Sequence, residues 1–371
     1  MKGMGIIFSN IYDKYLGELT DHRTVASLPF GGRYRQIDFI LSNMRNSGIS
    51  QVGIVTKYHY QSLMDHLGSG QDWDYTIQKD GLSLLPPFAN SHDGVYRGKL
   101  EALHNALPFL TDAEAEYVIL SDSVVQSAID FRKVLQSHIA SGAEVTVVAV
   151  PGRADGKRVL PFAVRCDADG TVTDVAIEYA APKDFLCGTG MFIIGRQFLI
   201  KAIEQTVSRG QYHLEKDFIQ RQYYQNGLKL HVYRFDQVAL FNSSILEYYQ
   251  NNLALLRPEI RKGLFQGEST IYTKIHNQVP AYYSKTAQIT DCLVADGCYL
   301  EGSAEQSILF RGVRLGKYAS VSRSVIMKGV TIEQGAVLDC VILDSDVTVR
   351  KHAILKGTPE HPVVVKKGET V

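Results

Sequence analysis

The chain has 371 residues, of which 45% are hydrophobic and 21% are charged, a composition typical of a globular protein with more than one domain. Lysine and arginine total 39, as do aspartate and glutamate, and this balance argues against nucleic acid or an acidic membrane as a partner. The opening residues MKGMGIIFSN turn polar too soon for a signal peptide, and no apolar run is long enough to span a membrane. The five cysteines lack metal-site spacing, so a reducing, cytoplasmic location is expected.

Strands and helices are predicted to alternate over roughly residues 1–237. Short apolar runs rich in β-branched residues predict buried strands at Met4–Phe8, Gln51–Thr56, Tyr117–Ser121 and Val145–Val150. Between the first two runs, Ile37, Ile40, Leu41 and Met44 fall at helical spacing, and the pattern ends near Gly48, as at a helix C-terminus. This alternation favours an α/β fold with a mostly parallel sheet and helices on both faces.

A capped helix and a connector are predicted next along the chain. The segment NSSILEYYQNNLALL, which begins at Asn242, places Ile245, Tyr249, Leu253 and Leu256 on one side of a helix. The segment RPEIRKGLFQGEST that follows is interpreted as a connecting loop.

A six-residue apolar period begins after about residue 287. Its members are Leu309, Leu315 and Val321, then Ile326, Ile332 and Leu338, and then Leu343 and Val349. Such a period matches one flat face per turn of a β-helix, whereas ordinary short strands with glycine turns are the alternative. The sequence therefore predicts an α/β domain over 1–241, a linking helix and connector over 242–286, and a left-handed parallel β-helix over 287–371.

Six segments, taken in order, resemble the ADP-glucose pyrophosphorylase family, also called glucose-1-phosphate adenylyltransferase. They are PFGGRYRQIDFILSNMRNSGI, HLGSGQDWD, YRGKLEAL, GTGMFIIG, EKDFIQ and LFRGVRLGKYASV. The resemblance spans nearly the whole chain and implies a Rossmann-like, GT-A-like nucleotidyltransferase domain ahead of the β-helix. It also implies a reaction of ATP with glucose 1-phosphate, in which backbone N–H groups, lysine or arginine, and Mg²⁺ neutralise the phosphates.

The loop expected to hold the triphosphate departs from the family. After the first strand the family has a glycine-rich loop with an arginine, whose backbone can wrap the phosphates. This chain has FSNIYDKYLGEL, in which Phe8 and Ile11 are bulky and Asp13 adds a negative charge. Lys14 could substitute in part, but a single ammonium does not rebuild a backbone cradle.

Two lysines and two metal-binding aspartates of the family are also replaced. The lysine ahead of PFGG is matched by Val25, and the sugar-phosphate lysine by Tyr179. The metal-binding aspartates are matched by Val124 and Phe241, so the resemblance implies Mg²⁺ but its ligands are missing, and no tightly bound cofactor is expected. Asp122 is nearby, and a gap in the match would restore it, although two residues of strand span about 7 Å.

Some cations and glycines of the family's binding regions are retained. The family binds phosphorylated metabolites or nucleotides as effectors near the junction of its two domains. The matching cations here are His22, Arg23, Arg35 and Arg314. They are either effector ligands or ordinary surface and structural side chains. Gly98 and Gly190 match glycines of the nucleotide and sugar pocket, and tight turns are the alternative explanation for both.

A chain that keeps the family's segments but lacks its charged site residues resembles the non-catalytic type of subunit that accompanies a catalytic subunit in some bacteria. The leading hypothesis is a regulatory subunit that binds and tunes a catalytic adenylyltransferase subunit in glycogen synthesis; whether the chain also assembles with itself is left open. The main alternative is an active nucleotidyltransferase with a site rearranged around Lys14, Asp122 and Asp13. A β-helix acyltransferase is the third, although after His276 the chain offers only His352 and His361 as catalytic histidines.

Overall fold

The fold is that of a computed structural model, which describes residues 2–75, 81–87, 95–265 and 270–371. The strands of the first domain are β1 Gly3–Phe8, β2 Pro29–Phe30, β3 Tyr34–Arg35, β4 Val52–Val55, β5 Leu82–Leu85, β6 Tyr117–Asp122, β7 Val125–Ser127, β8 Val145–Val150, β9 Leu160–Cys166, β10 Val172–Tyr179, β11 Leu186–Gly195, β12 Leu230–Arg234 and β13 Ala239–Phe241. The helices are α1 Gln36–Asn46, α2 Gln61–Leu67, α3 Lys99–Asn105, α4 Leu107–Thr111, α5 Phe131–Ser141, α6 Arg196–Val207, α7 Arg221–Asn226, α8 Ile245–Ala254 and α9 Pro258–Phe265. A π-helical turn covers Leu214–Gln220.

One nine-stranded sheet forms the centre of this domain, in the order β10-β9-β11-β6-β1-β4-β5, with β8 pairing with β11 and β12. The strands β6, β1, β4 and β5 are parallel to one another. β11 is antiparallel to β6, β8 and β9. The prediction of a mostly parallel sheet is confirmed, since only β10 and β11 run against the other seven described strands of this sheet, and β11 follows the β9–β10 hairpin.

The predicted strands and the first helix are confirmed. The strands β1, β4, β6 and β8 are buried on both faces, which explains their nearly continuous apolar sequences. Helix α1 begins after Arg35, whose backbone N–H donates to Asp38 Oδ2 at 2.9 Å. It ends before Gly48, whose φ of 76° is the left-handed conformation that glycine adopts at low cost after a helix.

Three parallel five-stranded sheets form the β-helix. Their strands are β14 Tyr282–Tyr283, β15 Gln288–Thr290, β16 Leu293–Val294, β17 Tyr299–Leu300, β18 Ser303–Glu305, β19 Ile308–Leu309, β20 Arg314–Leu315, β21 Ser320–Ser322, β22 Val325–Ile326, β23 Thr331–Ile332, β24 Val337–Asp339, β25 Val341–Leu343, β26 Thr348–Val349, β27 Ile354–Lys356 and β28 Val363–Val365. Every third strand along the chain joins the same sheet. All eight residues of the predicted six-residue period are buried in one core cluster inside this prism. The β-helix prediction is confirmed.

Helix α8 connects the two domains through its buried tyrosines. The hydroxyl of Tyr248 donates to the carbonyl oxygen of Pro29 in the first domain at 2.5 Å, and that of Tyr249 donates to the carbonyl oxygen of Arg323 in the β-helix at 2.5 Å. The N-cap of α8 is Ser244, whose Oγ accepts a hydrogen bond from a backbone N–H in the first turn. Side chains from α8, the sheet domain and the β-helix share one core cluster, so the two domains pack as one unit.

The predicted connecting loop is wrong in part, since α9 occupies Pro258–Phe265. Pro258 is the first residue of this helix, where the N–H groups are free and proline is tolerated. Leu264 is 1% exposed and fixes this helix to the core. Within the described ranges, no helix combines the length and the apolar character needed to cross a membrane.

Candidate functional site

The carboxyl ends of the parallel strands form the edge of the sheet at which α/β proteins bind ligands. β1 ends at Phe8 and β6 ends at Asp122, and these two residues are partners in the sheet. Asp122 is 2% exposed. Because a buried carboxylate is costly without a partner, the side chains that surround Asp122 determine what this edge can bind.

A lysine from α3 is the partner of Asp122. The ammonium nitrogen of Lys99 lies 2.8 Å from Asp122 Oδ1 and donates a hydrogen bond to Oδ2 at 2.9 Å. It also donates to Oε1 of Glu215, in the π-helical turn, at 2.5 Å. The ring centres of Phe8 and Phe192 lie 5.4 and 5.9 Å from the same nitrogen. Lys99, Asp122 and Glu215 are called the Lys99 cluster below.

Burial and mutual charge set the protonation of the Lys99 cluster. Burial raises the pKa of Asp122, the Lys99 ammonium opposes that rise, and the Glu215 carboxylate adds to it. Burial lowers the pKa of Lys99, but the two carboxylates outweigh burial and raise the pKa above its ordinary value. Burial, followed by the charges of Asp122 and Glu215, raises the pKa of the Tyr12 hydroxyl. The lysine therefore remains an ammonium at neutral pH.

The loop after β1 is organised by a carboxylate. Asp13 Oδ1 accepts a hydrogen bond from the backbone N–H of Val25 at 2.8 Å, and Thr20 Oγ1 donates to the carbonyl oxygen of Asp13 at 2.8 Å. Lys14 is exposed, and its ammonium lies 4.7 Å from the ring centre of Tyr15. An acidic side chain thus holds this loop together, and its negative charge disfavours a bound triphosphate at this position.

The two positions matched to metal-binding aspartates lie side by side, and both are apolar. Val124 and Phe241 are 2% and 6% exposed, and the N–H of Asn242 donates to the carbonyl oxygen of Val124 at 2.8 Å. The guanidinium carbon of Arg153 lies 3.9 Å from the ring centre of Phe241. Arg153 Nη2 also donates to Glu247 Oε1 at 2.5 Å. A guanidinium–carboxylate pair therefore lies against the aromatic ring at this second position.

The remaining predicted pocket positions have internal roles or face solvent. Tyr179 is 46% exposed at the end of β10. A Cβ atom at Gly98 would lie 2.3 Å from the carbonyl oxygen of Tyr212, and one at Gly190 would lie 2.3 Å from Asp122 Oδ2. Both glycines are therefore required by close contacts within the chain, and Gly190 also has a φ of 76°.

A cavity of about 200 Å³ lies between the α/β domain and the β-helix. Cationic and histidine side chains make up much of its lining: His22, Arg23, Arg33, Arg35, His66, His276, Arg311, Lys328 and Lys367. Among the described residues that line this cavity, Asp346 is the only acidic one. Three of the four predicted effector residues are thus brought together. Arg314 is not among them, because it is exposed on β20 and does not line the cavity.

Two arginines of the cavity are already paired within the chain. Arg23 is 6% exposed, and its Nη2 donates to both carboxylate oxygens of Asp344 in the β-helix, at 2.5 and 2.6 Å. Arg311 lies 3.2 Å from a carboxylate oxygen of Asp296. Arg23 therefore joins the two domains, and it is a structural residue as well as a lining residue.

Other cations of the cavity lack an acidic partner. Arg33, Arg35, Lys328 and Lys367 have no carboxylate within salt-bridge distance in the described parts of the chain. Burial lowers the pKa of Arg35 to about 10, which still leaves it charged at neutral pH. Burial, and then the charges of Arg311 and Lys328, lower the pKa of His276. The cavity is therefore positively charged and suited to a phosphate group.

Sequence reasoning missed four charged residues at the edge of the sheet, and it also missed Arg33, Arg311, Lys328 and Lys367 of the cavity. Lys99 and Glu215 lie in the quoted segments YRGKLEAL and EKDFIQ, and Arg153 and Glu247 lie in a loop and in α8. A lysine directly after the pocket glycine was a usable signal. Its partners, however, are 23 and 116 residues away in the chain, so that no local pattern reveals the cluster.

The Mg²⁺ that the family resemblance implies does not fit these residues. Both oxygens of the Asp122 carboxylate face the Lys99 ammonium at 2.8 and 2.9 Å, and the second matched position is Phe241. In the described ranges, no group of three or more His, Cys, Asp or Glu side chains is arranged to hold a metal ion. No catalytic step through a metal is therefore derived for this chain.

The sheet topology, the site at its edge and the β-helix together define a nucleotidyl transferase domain with a hexapeptide-repeat domain. A model of the family described as "Nucleotidyl transferase" matches residues 12–229, and one described as "GlmU-like, C-terminal hexapeptide" matches residues 277–361. The chain belongs to the nucleotidyl transferase family.

Its relatives include proteins named for glycogen biosynthesis and proteins named glucose-1-phosphate adenylyltransferase. Glycogen biosynthesis protein GlgD from Geobacillus stearothermophilus is 35% identical over 99% of this chain and 96% of that protein. GlgD from Bacillus subtilis is 33% identical over 98% of this chain and 96% of that protein. Glucose-1-phosphate adenylyltransferase from Bacillus subtilis is 31% identical over 83% of this chain and 81% of that protein. The family resemblance predicted from the sequence is confirmed.

Proposed function

We propose that this chain is a non-catalytic regulatory subunit of glucose-1-phosphate adenylyltransferase in bacterial glycogen biosynthesis, working in the cytoplasm. The enzyme converts ATP and glucose 1-phosphate into ADP-glucose and diphosphate. The observation that carries the proposal is the Lys99 cluster, in which the acidic residue at the end of β6 is bound by a buried ammonium. Because the Asp122 carboxylate is paired with Lys99 and Asp13 places a negative charge in the loop after β1, few groups remain to stabilise a transition state rich in negative charge.

The interdomain cavity supports a regulatory role. Arg33, Arg35, Lys328 and Lys367, which form no salt bridge with a described carboxylate, bring positive charge from both domains to one place. A phosphorylated metabolite or nucleotide bound there would contact the α/β domain and the β-helix together, and would favour the domain arrangement that fits it best. Its affinity would therefore be linked to any assembly that depends on that arrangement.

A catalytic glucose-1-phosphate adenylyltransferase subunit is the proposed partner, in a heterotetramer. Bacillus subtilis has a protein of each name, GlgD and glucose-1-phosphate adenylyltransferase, and this chain is similar to both. Two related chains with one fold can share the same packing surfaces, so a mixed assembly is geometrically reasonable. This chain could also assemble with itself, and the mass of the isolated chain in solution tests this in the experiment that follows.

The deciding experiment assays the purified chain alone, and then mixed with a catalytic subunit from the same organism. The isolated chain is expected to form no ADP-glucose from Mg²⁺, ATP and glucose 1-phosphate. The mixture is expected to form a complex of defined mass whose substrate saturation differs from that of the catalytic subunit alone. ADP-glucose synthesis by the isolated chain at a turnover of about 1 per second or more would support the rearranged active site and refute the proposal.

The effector role is tested with inorganic phosphate and simple phosphate esters as probes. Arg35→Gln removes a cation of the cavity, whereas Arg314→Gln removes an exposed arginine outside it. A hydrogen bond to a charged group contributes about 1.5–3 kcal/mol, so Arg35→Gln should weaken phosphate binding about tenfold or more. Arg314→Gln should leave phosphate binding unchanged. Equal effects of the two substitutions would rule out the cavity as the phosphate site.

A further inference from the structure

The Lys99 cluster resembles a buried cation-binding site in which the bound cation is the ammonium group of Lys99 itself. The Lys99 ammonium has two carboxylates around it, from Asp122 and Glu215, at 2.8 and 2.5 Å. Lys99 and Asp122 are 5% and 2% exposed. A buried arrangement of this kind is stable only when the charges compensate one another, so the ammonium cannot leave without a replacement cation.

The surroundings of the Lys99 cluster leave little room for a second cation. The rings of Phe8 and Phe192 stand over the ammonium, at 5.4 and 5.9 Å from its nitrogen. The backbone of Gly190 also lies so close to Asp122 that a Cβ atom on this glycine would be 2.3 Å from Asp122 Oδ2. A divalent ion that keeps part of its water shell would need this space.

The second matched metal position repeats the pattern with another internal cation. Phe241 carries the Arg153 guanidinium over its ring at 3.9 Å, and Arg153 is paired with Glu247 at 2.5 Å. A side-chain cation paired with a carboxylate thus lies near each matched position: Lys99 with Asp122, two residues before Val124, and Arg153 with Glu247, against the ring of Phe241. The observation that carries the inference is the first of these, in which the buried Lys99 ammonium lies between the carboxylates of Asp122 and Glu215.

We infer that Lys99 is a built-in substitute for a divalent cation: the chain takes up no divalent metal at the end of β6, and removal of the Lys99 ammonium uncovers a divalent-cation site formed by Asp122 and Glu215. The inference rests on the proposed function, because a subunit without catalysis has no use for the metal. It assigns Lys99 an electrostatic role in holding the strand end, α3 and the π-helical turn together.

The test uses Mn²⁺ alone as the probe, added to the whole 371-residue chain. Bound Mn²⁺ is measured by electron paramagnetic resonance, and thermal stability is measured by circular dichroism. Wild type and Lys99→Arg, which keeps the charge, are expected to bind no stoichiometric Mn²⁺ and to show no shift in their thermal midpoint. Lys99→Met is expected to bind one Mn²⁺ per chain at least about tenfold more tightly than wild type, a difference of about 1.4 kcal/mol, and to gain stability when Mn²⁺ is added. Lys99→Met/Asp122→Asn is expected to lose this binding.

Two results would overturn the inference. One is a single Mn²⁺ bound to the wild-type chain and lost in Asp122→Asn. The other is a folded Lys99→Met variant that binds Mn²⁺ no better than wild type does. If Lys99→Met does not fold, the wild-type and Asp122→Asn measurements still test whether the chain takes up a divalent metal at the end of β6. ADP-glucose synthesis by the isolated chain would refute the proposed function instead, and Mn²⁺ bound by an inactive wild-type chain would refute only this inference.

Discussion

The buried ion pair between Arg23 and Asp344 predicts how strongly the two domains hold each other. The two side chains are 7% and 1% exposed, and 321 residues separate them in the chain. Replacing Arg23 with Met leaves the Asp344 carboxylate buried without its cation, a change that costs about 3–5 kcal/mol. For a chain of this size, the thermal midpoint is expected to fall by about 4–7 °C.

The exposed pair of Lys366 and Asp21 provides a matched control. It joins the same two regions of the chain at 3.1 Å, but its side chains are 47% and 44% exposed. Because solvent and salt screen such a pair, Lys366→Met is expected to leave the midpoint within experimental error. The double variant Arg23→Met/Asp344→Asn removes both buried charges and is expected to recover most of the stability lost in the single variant.

Thermal unfolding and urea titration of the wild type and the three variants provide the measurement. If Arg23→Met and Lys366→Met shift the midpoint equally, burial of the ion pair has no influence and the reasoning is wrong. It is also wrong if the double variant is as unstable as Arg23→Met, because the cost would then come from lost packing and not from an unpaired charge.

Three further predictions concern single residues. Gly190→Ala should destabilise the protein more than Gly142→Ala does, since both glycines have positive φ but only the first would bring a Cβ atom against Asp122, and thermal midpoints of the two variants test this. Burial lowers the pKa of His138, so the unfolded chain takes up a proton first as the pH falls through about 6.5, and stability present above that pH is lost below it. His138→Asn should flatten this pH dependence of the urea midpoint. Leu338→Ala, at a buried position of the β-helix, should cost about 2–5 kcal/mol in urea unfolding.

Local sequence patterns were enough to predict four strands of the sheet, helices α1 and α8, and the β-helix, because burial leaves a pattern of apolar residues in each. The period of six follows from three flat faces per coil, and residues such as Leu315, Ile332 and Val349 stack in one sheet for that reason. The same reasoning could not give the direction of β11, since strand direction depends on the connection that precedes it and not on the side chains in the strand. Helix α9 was missed because proline is permitted in a first turn.

For the candidate site, the sequence predicted only which charged side chains of the family are missing. Matching against the family predicted that Val25, Val124, Tyr179 and Phe241 stand where the family has charged residues, but it could not predict which side chains surround these positions. The replacements are made by residues far apart in the chain, and their contacts depend on the complete fold. Of the predicted effector residues of the first domain, Arg23 and Arg35 both line the interdomain cavity, whereas Lys328 and Lys367, which also line it, carry no local signal of their position.

The Lys99 cluster and the Arg153–Phe241 contact also bear on how this chain can evolve. An aspartate in place of Phe241 would lie beside an arginine that is already paired with Glu247. Loss of Lys99 alone would leave two carboxylates without their cation, one of them fully buried. Each single step towards a metal site therefore passes through a less stable protein, and several substitutions would have to occur together. Selection for a stable fold is therefore sufficient to keep a divalent-metal site from forming at these positions.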